Sequence, residues 1–381
     1  MQYILCALGI IFLSINADNT YAWESHQVLM PWILKGLKPE LKIKLYSMNI
    51  KSQIQVPTFL HEIVKTKPHE VGRGLASNTL QLSLVTQFQA YPVKNAFELF
   101  LSPAVDEPDH GMDRDLDDAA DPKQERIYMG KKTGPTSQGF RHMYFGGWKI
   151  TKPIATFQIP IRSLGQAPDR VELFAKEALQ LLKEKNDYWG FRMLNWALHY
   201  TQDLSQPYHA AQAPSISMGA WSELLTWNLP TGFENLIKVS TRIISNYHYA
   251  YEDFVKLQIL EGEKSRFRDC LTNPKTFALL SVEHFQPTED LSPKELALEV
   301  AKKSIELAPE IGKYSIEFFG TELRQPSFDL PNRKGIVDYG YILLDPKKEN
   351  ARQKLEKATC QALANGVLAS QILIEWALRQ I

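Results

Sequence analysis

The stretch HYTQDLSQPYH at residues 199–209 decides how this chain is organised, together with the block HYAYE at residues 248–252. His199 and Asp203 are four positions apart, and so are His248 and Glu252. Residues four apart lie on one face of an α-helix, so each pair can present two ligands to one ion. The spacing therefore predicts two helices that carry a metal site between them.

Pro207 lies between the first pair and His209. Proline lacks a backbone N–H and its ring clashes with the preceding turn, so it ends or kinks a helix. We expect the chain to turn here and to direct His209 towards a different ion from the one at His199. The two blocks suit more than one metal ion.

Composition describes an ordinary globular protein. The 381 residues include 43 basic and 43 acidic side chains, with 44% hydrophobic and 11% aromatic residues. A large core can be buried. A net charge near zero gives no polycationic surface of the kind that drives binding to a nucleic-acid backbone.

The first residues predict export. The apolar run from Ile4 to Ile15 has the length of a signal-peptide core and is too short for an ordinary membrane span. Residues 1–22 are therefore interpreted as a signal peptide, and cleavage after Ala22 would leave Trp23 as the first residue of a secreted or periplasmic protein. No later stretch predicts a transmembrane anchor. Cys270 and Cys360 would remain and could form one disulfide, although spacing alone does not establish the pairing.

Apolar residues recur at helical spacing through most of the chain, which predicts an all-α fold. Helices are expected over Val171–Leu182 and Tyr188–Asp203, and along a long terminal stretch. Another helix is expected after a capping box at Ser292, and Pro309 should interrupt or kink it. The segments 130–147, 211–232 and 320–348 are predicted to be long loops. Because helices on both sides of these loops are needed to bury a core, residues 23–381 are assigned to a single domain.

The ligand blocks resemble those of the bacterial zinc-dependent phospholipases C, whose compact multi-helix fold is shared with the fungal single-strand nucleases. The resemblance rests on the pattern His-x3-Asp-x5-His with Gln206 and Pro207 before the last ligand, and on the segment 247–255. It also includes RHMY at 141–144 and AVD at 104–106. The resemblance spans nearly the whole mature chain, although only these blocks match closely.

The resemblance implies three zinc ions and a definite ligand set. One ion would take Asp106, His142, His199 and Asp203. A second would share Asp203 with Trp23 and His26, where Trp23 binds through the α-amino group and carbonyl oxygen that signal cleavage exposes. A third would take His209, His248 and Glu252. Imidazole and carboxylate ligands suit zinc.

Asp106 is also expected, by resemblance, to act in catalysis by orienting or deprotonating the attacking water. Asp109 is an open alternative to Asp106 as the upstream ligand, because the stretch 106–118 is crowded with carboxylates. Glu107 and Gly139 stand where the choline-phospholipid enzymes carry aromatic residues. A glutamate there could attract a cationic head group, but the aromatic cage is not evident, so the head group stays unassigned.

The resemblance predicts a secreted, monomeric zinc-dependent phospholipase C. Its substrate would be a phospholipid at a membrane surface, hydrolysed to diacylglycerol and a phosphorylated head group. A 3′-nucleotidase or single-strand nuclease is the alternative, since its ligand set is nearly the same but normally ends in Asp. Nucleic acid is a partner only under that alternative. A noncatalytic protein stabilised by metal is the third reading.

Overall fold

A computed structural model gives the architecture of this chain. It describes residues 26–52, 90–109, 127–128, 131–132, 141–145, 148–151, 156–159, 165–211, 229–332 and 334–381. Trp23, Gly139 and the segment 1–22 lie outside the described residues. The predicted all-α class is confirmed. The assignment of 23–381 to one domain stays a prediction.

Twelve α-helices occur in the described part of the chain. They are α1 (Met30–Lys35), α2 (Pro39–Ser47), α3 (Ala96–Phe100), α4 (Ala167–Lys183), α5 (Asp187–Ser205), α6 (Pro207–Ala210), α7 (Leu229–Leu260), α8 (Arg268–Thr272), α9 (Pro274–Phe277), α10 (Pro293–Phe319), α11 (Tyr339–Leu344) and α12 (Glu349–Arg379).

Short 3-10 turns join several of the helices. They span His26–Val28, Pro103–Asp106, Gly262–Lys264, Val282–His284, Thr321–Arg324, Leu330–Asn332 and Pro346–Lys348. Two short antiparallel strand pairs were not predicted: β1 (Ile127–Tyr128) with β2 (Lys131–Lys132), and β3 (Trp148–Thr151) with β4 (Thr156–Ile159).

Helix α5 runs through the centre of the molecule. Every residue from Tyr188 to Ser205 is buried, because aromatic and aliphatic side chains cover all sides of this helix. Helices α4, α10 and α12 pack against it. His199 and Asp203 are therefore held inside the core on the most completely buried helix.

The start of α10 matches its predicted cap. The Ser292 hydroxyl accepts a hydrogen bond from the Glu295 backbone N–H, with Pro293 in the first turn. Pro309 does not interrupt the helix, since α10 continues through it to Phe319. Leu307 and Ile311 are buried on either side of the proline, so packing against the core holds the helix together there.

Two of the predicted loops contain helical structure. The segment 320–348 includes α11 and three 3-10 turns, and α7 begins at Leu229, inside the predicted loop 211–232. The helix α11 and these 3-10 turns are too short to show the apolar period on which the sequence interpretation relied.

A disulfide joins Cys270 on α8 to Cys360 on α12, with the two Cα atoms 5.5 Å apart, a normal separation for such a bond. The pairing that spacing left open is thus settled by the fold. Among the described residues, no helix combines the length and apolar character that crossing a bilayer demands.

Candidate metal centre

The turn at Pro207 separates the ligands as expected. Helix α5 ends at Ser205, Gln206 is extended, and α6 begins at Pro207. The Gln206 side-chain oxygen accepts a hydrogen bond of 2.5 Å from the Tyr208 N–H, which fixes the new direction. His209 consequently faces α7, where its Nε2 lies 3.5 Å from Oε1 of Glu252.

Asp203 lies between two groups of histidines. Its Oδ1 is 3.3 Å from Nε2 of His26, and its Oδ2 is 2.8 Å from Nδ1 of His142 and 3.3 Å from Nε2 of His199. All four side chains are fully buried. His26, His199 and Asp203 form one group whose ligand atoms are close enough to share an ion.

Asp109, not Asp106, joins the same histidines. One Asp109 oxygen is 3.6 Å from both Nδ1 of His142 and Nε2 of His199, and these three residues form a second group with ligand spacing. Asp106 instead accepts a hydrogen bond of 3.0 Å from the Gln27 N–H. The sequence favoured Asp106 as the upstream ligand, but the structure places it behind the site, where it fixes the turn that carries His26.

The third group consists of His209, His248 and Glu252. His248 Nε2 is 2.8 Å from Oε1 of Glu252, as expected for a pair four residues apart on α7. Gln206 also reaches this group. Its amide nitrogen donates to Glu252 at 2.8 Å and lies 2.7 Å from His248 Nε2. We call the three groups together the ligand cluster: His26, Asp109, His142, His199, Asp203, His209, His248 and Glu252.

Hydrogen bonds outside the ligand cluster orient three of the imidazoles. His26 Nδ1 bonds to the Gln202 side-chain oxygen at 3.1 Å, His199 Nδ1 to the Val105 carbonyl at 2.8 Å, and His209 Nδ1 to the His142 carbonyl at 2.9 Å. With Nδ1 occupied in this way, Nε2 is left to face inward. Metal-binding histidines usually have such partners.

Several inward-facing atoms have no hydrogen bond within the described part of the chain. They are Nε2 of His26, Nε2 of His209, Oδ1 of Asp203 and Oε2 of Glu252, all buried. A buried polar group without a partner costs roughly 1–3 kcal/mol. Two of these atoms belong to the His26 and Asp203 group and two to the His209 and Glu252 group, so each group offers donors that fit a cation accepting nitrogen and oxygen, and this donor set suits zinc.

For His199, Asp203 and Glu252 the electrostatics favour the protonation states that metal binding requires, whereas Glu252 and Asp203 raise the pKa of His209. Burial lowers the pKa of His199 to about 3, so its imidazole is neutral. Burial would raise the pKa of Asp203, but His199 and His142 hold it well below its ordinary value. In the same way, His248 and His209 lower the pKa of Glu252 against the effect of its burial. Neutral imidazoles beside ionised carboxylates are the forms that bind metal.

Glu107 does not take the role considered for it from the sequence. Its side chain is only 12% exposed and forms an ion pair with Arg192 of α5. It also accepts hydrogen bonds from Trp196 and Tyr91, at 2.8 and 2.9 Å. The carboxylate faces the core, so it is not available to a head group. Outside the cluster, His284 is exposed, as expected, and His61, His69 and His110 lie outside the described residues.

Comparisons with known proteins add little. No protein-family model matches the chain, and it matches no curated protein. It is similar to a solved structure of the alpha-toxin of Clostridium perfringens from an avian strain, with 15% identity and a TM-score of 0.34. That similarity covers 96% of this chain and 64% of the toxin chain, so this chain spans less than two thirds of the toxin's length. At that level it does not bear on the function, which has to be inferred from the residues of this chain.

Proposed function

We propose that this chain is a zinc-dependent phosphodiesterase, and that its substrate is a phospholipid cleaved in the manner of a phospholipase C. One observation carries the proposal: buried histidine nitrogens and carboxylate oxygens converge at three groups, and within the described ranges several of these atoms lack a hydrogen-bond partner. The resemblance of the ligand blocks to zinc-dependent phospholipases C supports the choice of substrate.

We assign one ion to each group. Asp109, His142 and His199 would hold one ion, His26 would hold a second, and Asp203 would be shared between these two, since it contacts His26 on one side and His142 and His199 on the other. His199 would serve the first ion alone, because its Nδ1 is bonded to the Val105 carbonyl. His209, His248 and Glu252 would hold a third. The resemblance adds Trp23 to the second ion, as the first residue after signal cleavage. Zinc bound in such a site lowers the pKa of a coordinated water towards neutrality and polarises phosphoryl oxygens.

The chain's own residues supply orientation and charge. Gln202 and Val105 fix the imidazoles of His26 and His199, so that each directs Nε2 inward. The carboxylate of Asp109 faces the same histidines and is the group best placed to accept a proton from an attacking water. Asp106 would assist from outside, since it holds the backbone next to His26.

Glu252 favours the phospholipase over the nuclease. The nuclease branch normally ends its ligand set with Asp, whereas here the longer glutamate reaches both His248 and His209. The burial of Glu107 removes the one acidic side chain considered for a cationic head group. We therefore propose the phosphodiester linkage as the point of recognition and assign no head group.

The test is an assay of the full mature chain, beginning at Trp23, on phospholipid vesicles and on single-stranded DNA, each with and without a chelator. We expect diacylglycerol and a phosphorylated head group from the vesicles, with loss of activity on chelation and recovery with Zn²⁺. Cleavage of DNA alone would replace the proposal with the nuclease. Bound zinc without cleavage of either substrate would make the metal structural.

A further inference from the structure

A second buried polar cluster lies two turns before His199 on the same helix. The guanidinium of Arg192 forms an ion pair with Glu107, with Nε 2.9 Å from Oε2. The indole N–H of Trp196 donates to Oε2 at 2.8 Å, and the hydroxyl of Tyr91 donates to Oε1 at 2.9 Å. We call Glu107, Arg192, Trp196 and Tyr91 the anchor cluster.

Aromatic rings enclose the charged partner. The Arg192 guanidinium lies 5.0 Å from the ring centroid of Tyr91, 4.9 Å from that of Trp189 and 5.7 Å from that of Tyr188. Arg192 itself is fully buried. A planar guanidinium held between rings and a carboxylate has one favourable orientation. The anchor cluster is therefore a rigid attachment point for Glu107.

Glu107 lies in the sequence between two carboxylates that make different contacts. Asp106, one residue before it, holds the Gln27 N–H next to His26. Asp109, two residues after it, faces His142 and His199. The Val105 carbonyl, just upstream, orients His199. A shift of this short segment would move all three contacts at once.

We propose that Glu107 is a positioning residue of the metal centre: its attachment to Arg192 and Trp196 of α5 sets the position of Asp109 and of the His26 turn relative to His199 and Asp203. This inference rests on the proposed metal-dependent function. The position of segment 105–109 relative to the two ligands of α5 is fixed in this way, because Arg192, Trp196 and those ligands lie on the same helix. The ligands of the third group lie on α6 and α7, outside the segment that Glu107 positions, and His209 Nδ1 lies 3.8 Å from Oδ1 of Asp203.

The test measures zinc binding by the full mature chain after removal of metal, by competition with a chromophoric chelator. In Glu107→Gln we expect at least one zinc ion to bind about 10-fold or more weakly, the effect typical of losing an outer-shell partner. The ion held by His209, His248 and Glu252 should bind as in the wild type. With Co²⁺ in place of Zn²⁺, the visible absorption of the loaded protein should also change.

Phe267→Leu is the matched control. Phe267 is fully buried against Phe254, distant in sequence from segment 105–109, and the substitution lowers stability without touching the anchor cluster. It should leave the zinc affinities and the Co²⁺ spectrum unchanged. Wild-type zinc binding by Glu107→Gln, or equal weakening in Phe267→Leu, would overturn the positioning role.

If Glu107→Gln does not fold, Trp196→Phe provides the same test, because it removes the indole donor to Glu107. It also shortens a buried ring that packs on Phe174 and Trp189, and Phe267→Leu controls for that loss of packing. A smaller weakening of the same ion is then expected, and unchanged affinities would count against the proposal. No lipid is used in this assay. A wild-type chain that binds zinc but cleaves no phospholipid would refute the proposed substrate alone, and one that binds no zinc would refute both proposals.

Discussion

Two buried polar clusters lie along the same central helix, and their hydrogen bonding differs. In the anchor cluster the Glu107 carboxylate receives donors from Arg192, Trp196 and Tyr91. In the ligand cluster, within the described residues, Nε2 of His209 and Oδ1 of Asp203 have no hydrogen bond. Folded proteins rarely leave buried polar atoms unpaired without a reason. The difference indicates that the anchor cluster is complete in itself, whereas the ligand cluster is arranged to bind a cation.

The largest effect is expected from Asp203→Asn. Asp203 contacts His26 on one side and His142 and His199 on the other, so it would serve two ions. An amide is a poor metal ligand, and we expect phosphodiesterase activity to be abolished and zinc content to fall. Activity assays and metal analysis of the folded variant measure both. Full zinc content in this variant would rule out the bridging role.

Arg192→Met tests whether the anchor cluster stabilises the fold. It would leave the Glu107 charge buried without its ion-pair partner, which typically lowers the free energy of unfolding by about 3–5 kcal/mol. Denaturant unfolding of the metal-free protein measures the loss. The double variant Arg192→Met/Glu107→Leu should recover part of the stability, because a buried ion pair can be replaced by apolar side chains at little cost, whereas Trp196 and Tyr91 lose their acceptor. A single variant as stable as the wild type would show that the anchor cluster does not stabilise the fold.

The disulfide separates stability from metal binding. Cys270→Ser/Cys360→Ser removes the covalent link between α8 and α12, and we expect the free energy of unfolding to fall by about 2–4 kcal/mol. Because neither cysteine belongs to the ligand cluster, the zinc content should not change. Chemical unfolding and metal analysis of one preparation check this. If the variant is folded but has lost zinc, the ligand cluster depends on the packing of α8 against α12.

Acidification should distinguish the His209 group of the ligand cluster from the two groups that contain His199. Its effect is expected to be the smallest of the four changes. Burial alone would lower the pKa of His209, but Glu252 and Asp203 raise it above its ordinary value. Below that pKa zinc must displace a proton, so its affinity should fall by up to about tenfold per pH unit. His199, with a pKa of about 3, stays neutral in this range. Zinc titrations at pH 7.5, 6.5 and 5.5 should therefore show the His209 group losing its ion first. Earlier loss of zinc from the two groups that contain His199 would contradict this.

The sequence was a good guide to the parts of the site that lie on helices. The pairs His199 with Asp203 and His248 with Glu252 were predicted from a spacing of four, and the turn at Pro207 from the chemistry of proline. Helices α5 and α7 confirm both local arrangements. Such features are local, because a helix fixes the relation between residues a few positions apart.

The choice of Asp109 over Asp106 could not be made in that way. The stretch 106–118 offers many carboxylates, and the one that meets the histidines depends on contacts between residues distant in sequence, such as the proposed attachment of Glu107 to Arg192, 85 residues away. An arginine in the largely aromatic and aliphatic first half of α5 was a signal of an inward-facing acid. The Val105 and His142 carbonyls that orient His199 and His209 carry no sequence signal at all, since every residue has a carbonyl.

The most direct test of a metal centre is a crystal structure of the mature protein with anomalous scattering measured at the zinc edge. We expect zinc peaks within about 2.0–2.2 Å of the nitrogen and oxygen ligands. One peak should lie between Asp109, His142 and His199, one between His26 and Asp203, and one between His209, His248 and Glu252. A zinc-supplemented crystal without anomalous signal at these three groups would contradict the metal centre and the phosphodiesterase inferred from it.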